Sequence, residues 1–205
     1  MSLFPAFLKL DGRQVIIIGG GTLAVSKIPG LLQAGARIRV ISPEITSELA
    51  EWVRQQKIDW LPKLFSAEDL HGAFLVIAAT SLRHVNAAVY QEADRCGVLC
   101  NAVDDIENCH FYYGSIVQRG DLQIAVSTNG KSPALAQRLR KEFEQQFGPE
   151  YAAWLDWLGA AREVLRAQSH DPESTKHWLH MMASRPMFEK FMLQANSADS
   201  KHGVA

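Results

Sequence analysis

The sequence has few of the features that mark secreted, membrane or nucleic-acid-binding proteins. It contains three cysteines, Cys96, Cys100 and Cys109, without C-x-x-C spacing, which argues against a disulfide framework and predicts reduced, mostly buried thiols. No apolar run approaches the ~20 residues that cross a bilayer, and the N-terminus has no secretion-signal pattern. The formal net charge of -1 gives no general attraction to nucleic acid or membranes. We therefore expect a cytoplasmic protein that binds charged ligands through local groups.

What the sequence does contain is an alternation of apolar runs and helical segments. The runs predict five strands and a weaker sixth, at residues 14–19, 37–42, 73–80, 98–103, 122–127 and 58–63. Segments with helical spacing separate the first four runs, and one of them ends at Gly97 as a helix C-cap would. Strands that alternate with helices form parallel sheets covered on both faces. The predicted fold is α/β, with a Rossmann-like parallel sheet.

The last third of the chain has a different pattern. Ser132 and Pro133 fit the start of a helix, and helical spacing then continues to about Leu193. Residues 194–205 have the composition of a disordered tail. Earlier in the chain, Pro29 predicts a bend or break in the first helix, because proline removes a backbone hydrogen bond.

A glycine-rich turn follows the first strand, with the sequence Gly19-Gly20-Gly21-Thr22-Leu23-Ala24. It matches the G-x-G-x-x-G/A dinucleotide fingerprint. A predicted strand precedes the turn and a predicted helix follows it, as this fingerprint requires. Gly19 would permit the tight turn, Gly21 would let a diphosphate approach the backbone, and Ala24 would let the helix pack closely on the strand. An isolated match of this kind is often a simple loop, but the surrounding β-α-β pattern favours a dinucleotide site.

The next two strand ends supply further candidates for cofactor contacts. An acidic residue commonly binds the adenosine ribose after the second strand, but here that position holds Ser42 and Pro43, with Glu44 slightly later. Ser42, backbone groups or Glu44 are therefore the candidates, and the choice between NAD and NADP stays open at this point. Ala79 and Thr80 end the next long strand, where small residues let a cofactor cross the sheet edge or simply pack closely.

Two aspartates, Asp104 and Asp105, come directly after another core strand. Ligands of open α/β sheets bind at this carboxyl edge. Because strand residues alternate in direction, only one of the pair would point into the cleft, where a carboxylate could act as a general base. The other would face solvent or cap the following turn, and a purely turn-forming role for both is the alternative.

Three further features are less specific candidates for ligand binding. The loop "STNGKSP" could bind an anion with the help of Lys131, or could be an ordinary capped connection with Asn129 or Gly130 in a left-handed conformation. His110 could be a ligand or proton carrier, or a packed or exposed histidine near the cleft. The pair His177 and His180 fits a solvated helix face better than a metal site.

The motifs "LFPAFLKLDGRQVIIIGGGTLAVSK", "LVIAAT", "CNAVDD" and "SIVQRGDLQIAVSTNGKSPALAQRLRKEFE" occur in this order between Leu3 and about Glu144. This combination resembles the precorrin-2 dehydrogenase family, the dehydrogenase/ferrochelatase module of siroheme synthase. The resemblance implies NAD-dependent oxidation of the tetrapyrrole precorrin-2 to sirohydrochlorin, followed in some members by metal insertion with Fe²⁺ or Co²⁺ as a substrate ion. It assigns catalysis to Asp104 and cofactor contacts to Gly19 through Leu23, Pro43, Glu44, Ala79 and Thr80.

The resemblance also implies a domain organisation and a homodimer. An NAD-binding domain would span residues 1–113, a dimerisation region 114–147, and a C-terminal helical domain 148–205. No resident metal is expected. Substrate carboxylates would meet local polar and cationic groups, and the candidates are Thr128, Asn129, Lys131 and Arg138, with Arg119, Arg140 and Lys141 as further cations.

Two other functions compete with this interpretation. A non-catalytic NAD(H)-sensing module would explain the glycine turn equally well, but not the carboxylates and basic helix near the same edge. The second alternative is a member of the same family whose main activity is metal insertion. Short-chain dehydrogenase chemistry is disfavoured, because neither Tyr112 nor Tyr113 has a lysine four residues later.

Overall fold

The computed structural model describes residues 3–168 and 171–202, with side chains as far as residue 194. The chain divides into two compact units, one spanning Leu3–Tyr112 and one that begins at Tyr113. Among the described residues, no helix has both the length and the apolar composition needed to cross a bilayer.

The first unit is built on a five-stranded, fully parallel sheet, which confirms the predicted fold class. Its strand order is β3-β2-β1-β4-β5. The strands are β1 (Gln14–Ile18), β2 (Arg37–Ile41), β3 (Asp59–Leu61), β4 (Leu75–Ala78) and β5 (Leu99–Ala102). The apolar run at 58–63, the weakest of the predicted strands, forms the short edge strand β3.

Helices cover both faces of this sheet. They are α1 (Thr22–Gln33), α2 (Ser47–Arg54) and α3 (Arg83–Cys96), with short 3-10 helices at Ala67–Leu70 and Ile106–Asn108. Alternate residues of β1 belong to two separate apolar clusters, Val15 and Ile17 to one, and Ile16 and Ile18 to the other. Each fully buried side chain of this size stabilises the fold by roughly 1.5–3 kcal/mol. The sheet therefore has a core on each side.

Two local predictions in this unit have different outcomes. Gly97 adopts a left-handed conformation with φ of 69° and caps α3, as predicted. The helix α1, in contrast, does not break at Pro29 but continues to Gln33. Ile28 and Leu31, on either side of Pro29, are buried against the core, and this packing offsets the missing backbone hydrogen bond.

The cysteines are only partly buried, contrary to prediction. All three are free thiols, with Cys100 buried, Cys109 half-buried and Cys96 exposed at the end of α3. Burial raises the pKa of Cys100 to about 12, so this side chain is a protonated core thiol.

The second unit consists of a hairpin and helices. The strands β6 (Ser115–Arg119) and β7 (Leu122–Val126) pair antiparallel, and they are followed by α4 (Pro133–Gln146), α5 (Glu150–Ala167), α6 (Pro172–Met182) and α7 (Arg185–His202). The predicted fifth strand is thus β7, which pairs with β6 and not with the parallel sheet. Ser132 caps α4, because its side chain accepts a hydrogen bond from the backbone N–H of Leu135 at 3.2 Å.

The last helix is longer than predicted. The sequence pattern places its end at about Leu193 and a disordered tail beyond, but α7 continues to His202. No proline or glycine interrupts the chain between Pro186 and Gly203, so nothing in the sequence stops the helix earlier. The rest of the predicted disordered tail, residues 203–205, lies outside the described residues.

Candidate active site

The candidate site lies at the carboxyl edge of the parallel sheet. The register pairs Ile18 with both Ile41 and Ala78, and Ala78 with Ala102. Four strands therefore end at the same level, and the segments that follow them share one edge. The sequence candidates Gly19, Ser42, Ala79 and Asp104 all belong to these segments.

The first two glycines of the turn are required by the protein's own packing. Gly19 has φ of +117°, and a Cβ there would lie 2.5 Å from the carbonyl oxygen of Ala79. A Cβ on Gly20 would collide with the carbonyl oxygen of Glu44. Both glycines are buried, so they allow the turn to pass between the ends of β4 and β2.

Gly21 differs from these two residues. It is exposed, and a Cβ built on it would meet no protein atom within 4 Å. Its backbone conformation, φ −91° and ψ −171°, is open to any residue. Protein packing therefore does not explain why this position is glycine, whereas the approach of a ligand to the backbone would.

Gly21 is also the N-cap of α1, and no side chain of the described chain caps it. The first helical hydrogen bond runs from the Val25 N–H to the Gly21 carbonyl at 3.2 Å. The N–H groups of Thr22 and Leu23 precede it, and they lie at the positive end of the helix dipole on exposed residues. Ala24 is fully buried, which places α1 close against the sheet. These features fit the diphosphate of a dinucleotide.

The segment after β2 is fixed beside this turn. Trp60 donates from Nε1 to the Ser42 carbonyl at 2.9 Å, and the Thr46 N–H donates to the Gly20 carbonyl at 3.0 Å. Pro43 and Glu44 are exposed. The structure thus brings the predicted ribose-binding residues next to the glycine turn, although their contact with a ribose stays a prediction.

The turn after β4 is held by Asn86, a residue that the sequence pattern did not identify as part of the site. The Thr80 hydroxyl donates to Asn86 Oδ1 at 2.7 Å, and Asn86 Nδ2 donates to the Thr80 carbonyl at 3.0 Å. Asn86 is buried, on the same stripe of α3 as Val89 and Ala93. A polar residue at the start of an apolar helical stripe was the signal that would have identified it. The Thr80 hydroxyl is therefore engaged in holding this turn.

We expect Asn86→Ala to destabilise the first unit by about 1–3 kcal/mol, because the half-buried carbonyl and N–H of Thr80 would lose their hydrogen bonds to the buried Asn86 side chain. Urea unfolding at equilibrium would measure this loss. Asn86→Asp keeps the acceptor for the Thr80 hydroxyl but loses the amide donor and places a carboxyl group at a buried position, so we expect it to be destabilised as well. A free energy of unfolding for Asn86→Ala that matches that of the wild type would contradict the role of this contact.

The two aspartates after β5 have distinct surroundings. Asp104 is exposed, has φ of +61°, and its carboxylate accepts no hydrogen bond from the described residues. Asp105 is half-buried, and its Oδ2 accepts from Asn108 Nδ2 at 2.8 Å. Asp104 is thus the exposed member of the pair. Both aspartates follow the end of β5 at Ala102, so the predicted alternation of strand residues does not apply to them. Asp104 is exposed in the structure and does not lie in a partly dry cleft.

The loop predicted to meet an anion lies in the second unit. Asn129 and Gly130 both adopt left-handed conformations, with φ of 53° and 75°. Thr128 accepts the Ser132 N–H on its hydroxyl at 3.1 Å, so its side chain organises the start of α4. Lys131 is exposed and Arg138 pairs with Glu142 at 3.3 Å on the exposed face of α4. Whether Thr128, Asn129, Lys131 and Arg138 bind substrate stays a prediction.

Two of the further cations have partners within the second unit. Arg119 donates from Nε to the Phe147 carbonyl at 2.9 Å and from Nη2 to the Glu144 carbonyl at 3.1 Å, so it caps the C-terminal end of α4. Arg140 forms an ion pair with Glu144. Both charges thus have partners within the second unit, and their contact with substrate carboxylates stays a prediction. In the described part of the chain, no three His, Cys, Asp or Glu side chains are grouped so as to hold a metal ion.

Comparison with known proteins agrees with this geometry. Residues 6–115 match the family model described as putative NAD(P)-binding, and residues 119–146 match the sirohaem biosynthesis protein central region. Siroheme synthase 3 of Aeromonas hydrophila is 39% identical over 168 residues, which are 82% of this chain and 36% of that protein. Siroheme synthase 1 of Serratia proteamaculans is 43% identical over 171 residues, again 82% of this chain and 36% of the relative. The chain thus spans about a third of the length of these relatives.

A solved structure matches over nearly the whole chain. It is that of SirC, precorrin-2 dehydrogenase, and it superposes with a TM-score of 0.77 and 25% identity, covering 95% of this chain and 100% of that one. The NAD(P)-binding family model alone covers more than half of the sequence. The chain belongs to the precorrin-2 dehydrogenase family, whose nucleotide-binding and central segments it shares with the siroheme synthases.

Proposed function

We propose that the chain is an NAD-dependent dehydrogenase that oxidises precorrin-2 to sirohydrochlorin. The observation that carries this proposal is that one sheet edge holds both a glycine turn without a side-chain cap and, after β5, an exposed carboxylate, Asp104. The names of the solved relative and of the siroheme synthases support the same reaction. A module that only senses NAD(H) would need the glycine turn but not the carboxylate.

Each part of the site would have one task in this reaction. The amides of Gly21, Thr22 and Leu23 would hold the diphosphate, and a bound NAD⁺ would accept the hydride. Asp104 would accept the proton that the substrate loses with it, so that precorrin-2 and NAD⁺ give sirohydrochlorin, NADH and H⁺. Asp104 adopts a left-handed backbone conformation, and Asp105 is the member of the pair that accepts the hydrogen bond from Asn108.

The residues beside the glycine turn favour NAD over NADP. Glu44 is exposed next to Gly20, and a carboxylate there would bind the ribose hydroxyls and repel a 2′-phosphate. No arginine occurs between Ser42 and Arg54 to bind that phosphate. We therefore propose NAD as the physiological cofactor.

The second unit would supply substrate contacts and the homodimer interface. Lys131 is exposed beside the start of α4, where a substrate carboxylate would also meet the helix N-terminus. Residues 114–147, which include the hairpin and α4, are the proposed dimerisation region, and a helical domain would follow from residue 148. A cytoplasmic location remains part of the proposal.

The test is an anaerobic assay that follows NADH absorbance and sirohydrochlorin formation with enzymatically generated precorrin-2. We expect one NADH for each sirohydrochlorin, and much weaker activity with NADP⁺. Binding of NAD⁺ without any precorrin-2-dependent NADH would contradict the proposal and favour the NAD(H)-sensing alternative. Sirohydrochlorin with Fe²⁺ or Co²⁺ in the absence of NAD⁺ tests metal insertion as a separate activity.

A further inference from the structure

The segment that carries Asp104 is anchored at one end by a histidine. β5 is an edge strand, because β4 is its only neighbour in the sheet. After Ala102 the chain turns through Asp104 and returns along the open side of β5, where Asn101 and Cys109 form an antiparallel bridge. The Asn101 side chain extends this contact by donating to the Phe111 carbonyl at 2.9 Å. The returning segment therefore covers an edge that would otherwise be unpaired.

His110 forms two hydrogen bonds with β5, and both are to the backbone of Cys100. Its backbone N–H donates to the Cys100 carbonyl at 2.8 Å, and its Nδ1 accepts from the Cys100 N–H at 3.0 Å. Both backbone groups of Cys100 are thus bonded to His110. Because Cys100 is buried, an unpaired N–H there would be costly.

The same ring reaches a third element. His110 Nε2 lies 3.1 Å from Asp94 Oδ1 on α3, and the ring of Tyr90 lies 4.8 Å away, centroid to centroid. A backbone N–H can only donate, so Nδ1 must be the unprotonated nitrogen. The proton is then on Nε2, which donates to Asp94. One neutral imidazole therefore connects the returning segment to β5 and α3.

We propose that His110 is a positioning residue for Asp104, which it holds by fixing the end of the turn on which that carboxylate lies. The proposal rests on the proposed dehydrogenase function, since it concerns the same carboxylate. The contacts of His110 described above are with β5 and α3, so we expect it to act on the site through the segment 103–110. The sequence offered a ligand, a proton carrier, or a packed or exposed histidine for this position, and the contacts show a half-buried histidine packed against β5 and α3.

The experiment compares His110→Ala with His110→Asn. The Asn Oδ1 takes the place of Nδ1 and accepts the Cys100 N–H, whereas Ala leaves that N–H unpaired. We expect kcat of His110→Ala to fall about 10–100-fold with the KM for NAD⁺ unchanged, because small displacements of a reacting group have effects of this size. His110→Asn should recover most of the loss. His71→Ala, at an exposed histidine before β4, is the matched control and should behave as the wild type.

Hydrogen exchange of the peptide 99–111 gives a readout that does not need turnover. We expect faster exchange in His110→Ala and wild-type exchange in His110→Asn. Full activity of His110→Ala, or equal losses in the Ala and Asn variants, would overturn the proposal. If the wild type itself oxidises no precorrin-2, the proposed function fails. The hydrogen-exchange data then test the anchoring role of His110 by themselves, and unchanged exchange in His110→Ala rejects that role.

Discussion

Asp104→Asn is expected to lower kcat for precorrin-2 oxidation by about 10²–10⁴-fold, the usual contribution of a general acid or base. Asparagine has the same shape and tolerates the left-handed conformation of this position, so the backbone should be retained. It cannot accept the proton that the substrate releases. The binding of NAD⁺, measured by titration calorimetry, should be unchanged, because the glycine turn lies after a different strand.

Asp105→Asn is the matched control for this variant. Its amide oxygen can still accept the hydrogen bond from Asn108, and its side chain is half-buried in the turn. We expect kcat within about threefold of the wild type, which corresponds to less than about 1 kcal/mol in the activation barrier. Equal losses in the two variants would mean that the turn, and not the carboxylate of Asp104, is what catalysis requires.

Gly21→Ala is expected to raise the Kd for NAD⁺ by about 10–100-fold, or about 1.4–2.8 kcal/mol, without weakening the fold. The reason is that its Cβ would meet no protein atom within 4 Å but would hinder the close approach of a diphosphate to the backbone at this N-cap position. The dihedral angles of Gly21 also suit alanine. Calorimetric titration gives the affinity, and thermal unfolding of the free protein gives the stability.

Gly30→Ala provides the control on the same helix. Gly30 lies in the last turn of α1, is exposed, and has no neighbour that a Cβ would touch. This substitution should leave NAD⁺ affinity unchanged and raise stability by about 0.5–1 kcal/mol, as alanine does in helices. Unaltered NAD⁺ affinity in Gly21→Ala would refute the assignment of the first-turn amides to the diphosphate.

The features that the sequence predicted correctly depend mainly on neighbours in the chain. The alternation of strands and helices, the cap at Gly97 and the N-cap at Ser132 each follow from residues within one or two turns. β6 was missed because its five residues, Ser115–Arg119, include polar ends and no long apolar run. Its partner β7 was identified, but only the hairpin pairing shows that it lies outside the parallel sheet.

The details of the site depend on contacts that the sequence does not encode locally. Gly19 must be glycine because β1 pairs with β4, which brings Ala79 against it from a distant part of the chain. Asp104 and Asp105 are equivalent in the sequence, and the contact with Asn108 distinguishes them. From the sequence, Arg119 was a candidate cation for the substrate, and only the fold shows that its guanidinium donates to the carbonyl of Phe147.

The most direct test of the account is a crystal structure of the protein with NAD⁺. The account predicts that the diphosphate accepts hydrogen bonds from the amides at the start of α1, that the adenosine ribose lies beside Glu44, and that the nicotinamide extends along the sheet edge toward Asp104. A diphosphate bound elsewhere, or a nicotinamide directed away from the end of β5, would contradict it.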